Sequence, residues 1–134
     1  MAITETKRAA ERHLNTLTPA LPTAWESFEF TPPATLYQMV QFSINPPEDP
    51  VLGVGYYRER IQMQVFIVGP LNKGTGDVIA RAELVRNRFK KGTFLTEGGV
   101  SIHVLSTPQI TGTSVTDTRL VCPVLIDLVA EVLV

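Results

Sequence analysis

The run from Tyr56 to Val68 carries the clearest pattern in the chain. Tyr57, Ile61, Met63, Val65 and Ile67 are apolar, while Arg58, Arg60, Gln62 and Gln64 point the opposite way until Phe66 and Val68. Side chains alternate across a strand, so this predicts a long β-strand with one face on a core and the other meeting water or a partner. Leu36 to Ile44 sets Leu36, Val40, Phe42 and Ile44 on one side, and Trp25 to Phe30 alternates more weakly. Val100, Ile102 and Val104 alternate with Ser101 and His103 after a turn at Glu97-Gly98-Gly99. The last run, Arg119 to Val134, has Leu120, Cys122, Val124, Ile126, Leu128, Ala130, Val132 and Val134 at even positions, which predicts a strand. Apolar Val121, Leu125 and Val129 at odd positions leave open a late helical turn or a strand covered on both faces. Pro123 predicts an edge or a bulge there.

Two segments change period. Residues 3–17 lack Gly and Pro and place Ile3, Ala10, Leu14 and Leu17 near one face, with Lys7, Arg8, Glu11 and Arg12 elsewhere. Val78, Ala82, Val85 and Phe89 recur at helical spacing in the second segment. Both predict amphipathic helices. For the second, Thr75 is the candidate cap, Asp77 suits the positive end, Lys90 and Lys91 suit the negative end, and Gly92 suits a left-handed close. Seven of the ten prolines fall between Pro19 and Pro50, so strands there are short and bounded. The resulting order, α-β-β-β-α-β-β, predicts an α+β domain over residues 1–134, with two helices against a mainly antiparallel sheet.

Composition narrows function mostly by exclusion. The 134 residues are 44% apolar and carry 12 basic and 13 acidic side chains, so no global field marks a nucleic-acid or membrane-surface binder. One cysteine, Cys122, excludes an internal disulfide and fits a reducing compartment. With no leader-like start and no apolar stretch of about 18 residues, the expectation is a soluble intracellular protein without a membrane partner.

The candidate chemistry is thin. Gly69 to Thr75 has the strand-loop-helix context of a phosphate loop, but Lys73 precedes Gly74 where the Walker pattern needs a Lys after it, and Pro70 removes a donor. His13 and His103 lie on different elements without companion ligands at metal spacing. Cys122 reads as a small core hydrophobe. No catalytic residue, metal site or cofactor is expected. Arg81, Arg86, Arg88, Lys90 and Lys91 against Glu83 give a local excess of +4 in eleven residues. That cluster is either the solvated face of a helix or, over residues 77–91, a sequence-independent nucleic-acid contact. The connection from Asn45 to Gly55 is long for two strands a tight turn could join, which leaves a disordered loop or a hairpin arm that contacts a neighbour.

Several features recur together. Trp25, Pro32-Pro33, the strand through Gln64-Val65-Phe66-Ile67-Val68, Gly69-Pro70, Gly74-Thr75-Gly76, Ala82 and Phe89-Lys90-Lys91-Gly92 follow one another at a spacing that resembles the tail terminator, or tail completion, proteins of long-tailed bacteriophages. The resemblance implies a non-enzymatic structural protein of a phage or prophage. Its expected form is a six-membered ring that caps the tail tube, ends its polymerisation and prepares head-tail joining. The implied partners are further copies of the chain, the major tail tube protein and a head-completion or connector protein. The implied location is the head-proximal end of the virion tail, after synthesis in the host cytoplasm. Candidate subunit or tube contacts are Pro47, Glu48, Asp49, Leu52, Arg58, Arg60, Gln62 and Gln64. Candidate DNA-channel residues, making non-specific contact, are Arg81, Arg86, Arg88, Lys90 and Lys91.

Overall fold

The computed structural model describes residues 2–116 and 118–133. Helix α1 spans Ala2–Asn15 and α2 spans Gly76–Arg88. The strands are β1 (Thr23–Ala24), β2 (Tyr37–Glu48), β3 (Tyr56–Pro70), β4 (Phe94–Glu97), β5 (Val100–Val104), β6 (Gln109–Ile110), β7 (Ser114–Thr116) and β8 (Arg119–Leu133). They form one sheet in the order β1-β2-β3-β8-β5-β4, with β6 and β7 also paired to β8. Among the described residues, only β1 and β2 run parallel. This is the α+β architecture the alternation predicts. Val134, the final even position of the last run, lies outside the described residues.

The register of β3 on β8 explains where the core forms. Met63 stands opposite Ile126, Val65 opposite Val124 and Ile67 opposite Cys122, so the apolar faces of the two longest strands coincide. On the other side of β3, Val40 meets Val65 and Phe42 meets Met63. Both helices lie across this face, α1 burying Ala9, Ala10 and Leu14 and α2 burying Val78, Ala82 and Val85, with Phe89 just beyond it. Small residues let the helices approach closely. Gly69 has the same cause: a β-carbon there would lie 2.8 Å from Val78 Cγ2 and 3.3 Å from Leu36 Cδ1. The one buried hydroxyl of α1, Thr6, donates to the carbonyl of Ala2 at 2.7 Å and so brings no unpaired polar group into the core.

Several local expectations change. The Trp25–Phe30 alternation is not a strand; Phe28 N–H donates to Trp25 O at 3.2 Å and Ser27 takes φ 72, which turns the chain after β1. Conversely, β2 continues through Pro46 and Pro47 to Glu48, with an irregular register between Asn45 and Glu48, and only residues 49–55 remain a loop. Pro123 sits on a central strand, not at an edge. Its carbonyl accepts from Thr111 N–H at 3.1 Å on the β6–β7 side, so its missing donor faces the 111–113 gap where no ladder bond is asked of it. Thr75 caps α2 without a side-chain bond; its carbonyl accepts from Ile79 N–H. Gly92 does take φ 87, but in the turn into β4, after the helix has closed at Phe89. The short strands β4, β6 and β7 lack enough residues to show a period.

Candidate assembly surface

The side of the sheet away from the helices is built from the even positions of β3. Arg58, Arg60, Gln62 and Gln64 stand in a half-buried row, and cross-strand register brings acids to them. Arg58 Nε lies 3.7 Å from Glu131 Oε1, and Arg60 Nε lies 3.8 Å from Glu48 Oε1. Gln62 Nε2 donates to Asp127 Oδ1 at 3.4 Å, and Gln64 Nε2 donates to Gln62 Oε1 at 3.0 Å. Partly exposed ion pairs of this kind contribute about 0–1 kcal/mol. The row therefore adds little to the fold, and its groups are free to exchange partners.

Glu48 joins this row to the β2–β3 loop. Pro47 and Asp49 are exposed there, and Val51, Leu52 and Val54 stand out in solvent. Beyond Met39, no strand borders the outer edge of β2 among the described residues. Pro46 and Pro47 remove donors from that edge near its tip, which limits indiscriminate strand pairing. Of the eight residues expected to make contact, Arg58, Arg60, Gln62 and Gln64 stand in the polar row, Glu48 pairs with Arg60, and Pro47, Asp49 and Leu52 are exposed toward the tip.

The basic cluster resolves differently. Arg81 is only 3% exposed and is removed from the expected channel lining. Its Nη1 donates to Pro19 O, while Nε and Nη2 donate to Gln38 Oε1 at 3.4 and 3.3 Å. Gln38 Nε2 in turn donates to Thr23 Oγ1 at 3.0 Å. Burial pushes the Arg81 guanidinium below its ordinary pKa range. Arg86 Nε donates to Pro108 O at 3.1 Å, and Arg119 Nη1 donates to Pro33 O at 2.8 Å. The three acceptors are all proline carbonyls, whose residues bring an acceptor and no N–H donor, and arginine supplies a fork of five donors. Arg88 closes the two helix ends, its Nε donating to His13 O at 3.0 Å and its Nη2 to Thr16 Oγ1. His13 Nε2–H donates back to Arg88 O at 2.8 Å, and its ring meets Phe89 edge-on at 4.9 Å. Burial pushes the His13 pKa down, with the Arg88 charge adding to it. Lys90 and Lys91 remain exposed.

A model of the family described as phage tail terminator protein matches residues 5–127. The chain belongs to that family. It is accordingly a structural component of a phage tail. A solved structure 22% identical in sequence covers 96% of this chain and 92% of its own, with a TM-score of 0.67, and shows the same fold. No curated protein matches.

In this tail terminator, sequence reasoning missed an aromatic groove beside β2. Trp25, Phe28, Phe30, Tyr37 and Met39 line it. Phe30 and Tyr37 pack with ring centres 5.4 Å apart and planes tilted by 39°, and the Arg119 guanidinium sits 5.5 Å from the Tyr37 ring centre. Glu26 ties the segment down by accepting from Phe42 N–H at 3.1 Å and from Lys7 Nζ. Lys7 holds the Glu26 carboxyl below its usual pKa range. The aromatics were visible as a short alternation, but the positive φ of Ser27 that gathers them was not. Cys122 is buried, and that burial pushes its thiol pKa up. His13 and His103 stay on separate elements, and among the described residues no cluster of three or more metal-ligating side chains forms.

Proposed function

We propose that copies of this chain close into a six-membered ring that caps the head-proximal end of the tail tube. The ring stops tube polymerisation and presents its other side to a head-completion or connector protein. Synthesis takes place in the host cytoplasm, and the mature copies reside in the virion. Family membership supports the tail role. The observation that carries the ring is the β2–β3 hairpin, whose charged limbs end in Val51, Leu52 and Val54 with no cover from their own chain. Contiguous exposed aliphatics mark an association surface. A contact between unlike surfaces repeats from copy to copy until rotation closes it. Within the basic cluster, Lys90 and Lys91 are the charges that would face DNA in the channel, by backbone neutralisation without base reading.

The test is to add the purified chain to polymerising tube protein, measure tube length by electron microscopy, and weigh the complex by native mass spectrometry. A closed oligomer on short, capped tubes is expected. A strict monomer that leaves tube growth unchanged overturns the proposal.

A further inference from the structure

The uncovered tip has a counterpart on the same molecule. Two adjoining cavities of about 330 and 370 Å³ share Trp25 and Phe28 as a common wall. One continues toward Phe30 and Met39; the other opens between Arg8, Glu11 and Arg12. Phe28 is 75% exposed and follows Ser27, whose φ of 72 is uncommon for a residue with a side chain. The chain thus holds an aromatic ring in solvent by a sterically demanding turn.

We infer that this groove seats the hairpin tip, residues 49–55, of a second copy of the chain, each copy giving its tip to one neighbour and its groove to the other. The inference rests on the ring reading above and names the contact that builds it. Distance separates the two surfaces within one chain: from Met39 to Glu48 along β2 is roughly 30 Å at a strand's rise per residue. Pairing of β3 to β2 and β8 up to Arg58 keeps the tip from folding back. Two unlike, distant patches associate head to tail, the arrangement a ring requires.

Charge agrees with shape. At the mouth of the groove Arg8 and Arg12 both turn to one carboxylate, Glu97, at 3.7 and 2.6 Å. Of the other acids nearby, Glu26 is engaged by Lys7, and Glu11, which lines the same mouth, forms no ion pair with either arginine among the described residues. Two guanidiniums sharing one anion leave room for another. Asp49 stands two residues before Val51, so a tip seated with Val51 and Leu52 against Trp25 and Phe28 would carry its carboxylate toward that mouth.

The experiment is oxidative cross-linking of a Leu52→Cys, Phe28→Cys double variant in the presence of tail tubes. Cys122, being buried, stays out of the exchange. A ladder of covalent oligomers ending at the ring is expected from the double variant, and at most dimers from either single one. Leu52→Asp is expected to weaken association by about tenfold or more, since it takes a buried aliphatic contact and leaves a charge. Both positions are exposed in the lone chain, so folding is not at stake. Normal rings with no ladder, and with full assembly by Leu52→Asp, overturn the seating and leave the ring standing. Failure of the unmodified chain to associate at all overturns both.

Discussion

Strand β2 runs from a half of the molecule covered by helices into a half that is not, and the two halves obey different rules. On the face that carries the core, Val40 is 1% exposed, whereas Ile44, four residues further along β2 on that same face, is 58% exposed. Their alternation pattern is identical. The difference is that Val40 belongs to the core cluster that both helices help to build, whereas Ile44 lies outside it. Around the helices, Thr6 is tied to Ala2 O, Arg81 to Gln38 and Pro19 O, and Arg88 to His13 O. Beyond them, the charges make loose surface pairs and the aliphatics face water. An apolar residue on a strand thus belongs to the fold where the core covers it and stays in solvent, open to a partner, where nothing does.

The largest break in this comparison is in the covered half. Phe89→Ala removes a fully buried ring that both helix ends share with His13, and should cost about 3–5 kcal/mol in denaturant unfolding. Next is Arg81→Ala, which leaves Pro19 O and the Gln38 amide without their donor inside the protein and should cost about 1–3 kcal/mol. A value near zero would return Arg81 to the set of solvated, partner-facing charges.

A smaller effect is expected from pH. The His13 pKa is lowered by folding, so the folded state resists protonation while the unfolded chain accepts it at its ordinary value. Any stability from this group is present above about pH 6.5 and is lost as pH falls through the lower folded value. Protonation would place a second charge next to Arg88 at the helix junction. The thermal midpoint should therefore fall on acidification from pH 7, and His13→Gln should flatten that part of the curve; an unchanged slope in the variant would assign the loss to other groups. The smallest effect belongs to the uncovered half. Leu52→Ser should change the stability of the isolated chain by no more than about 0.5 kcal/mol. A larger loss would show that the tip is part of the fold.

Much of this was legible from residue order. The alternation at Tyr57, Ile61, Met63, Val65 and Ile67 gave β3, its core face and its polar row, and the spacing of Val78, Ala82, Val85 and Phe89 gave α2. The connection at residues 45–55 was marked by its length, although β2 runs four residues into it. Less could be read where distant segments decide. Pro123 looked like an edge or bulge residue because the interruption between β6 and β7 that accommodates it comes from residues 111–113. The arginines looked like one basic face because a sequence shows their charge and not the proline carbonyls that receive them.

Local periodicity, read against the steric alternation of strands and the 3.6-residue turn of helices, was enough to fix the two helices, the long strands and the side of each that is apolar. Which apolar positions end in a core, which cations are spent inside the chain, and where the aromatic groove opens depended on where α1, α2 and the 25–36 segment come to rest. Those are contacts between residues far apart in sequence, and burial is a property of such contacts, not of the residues that make them.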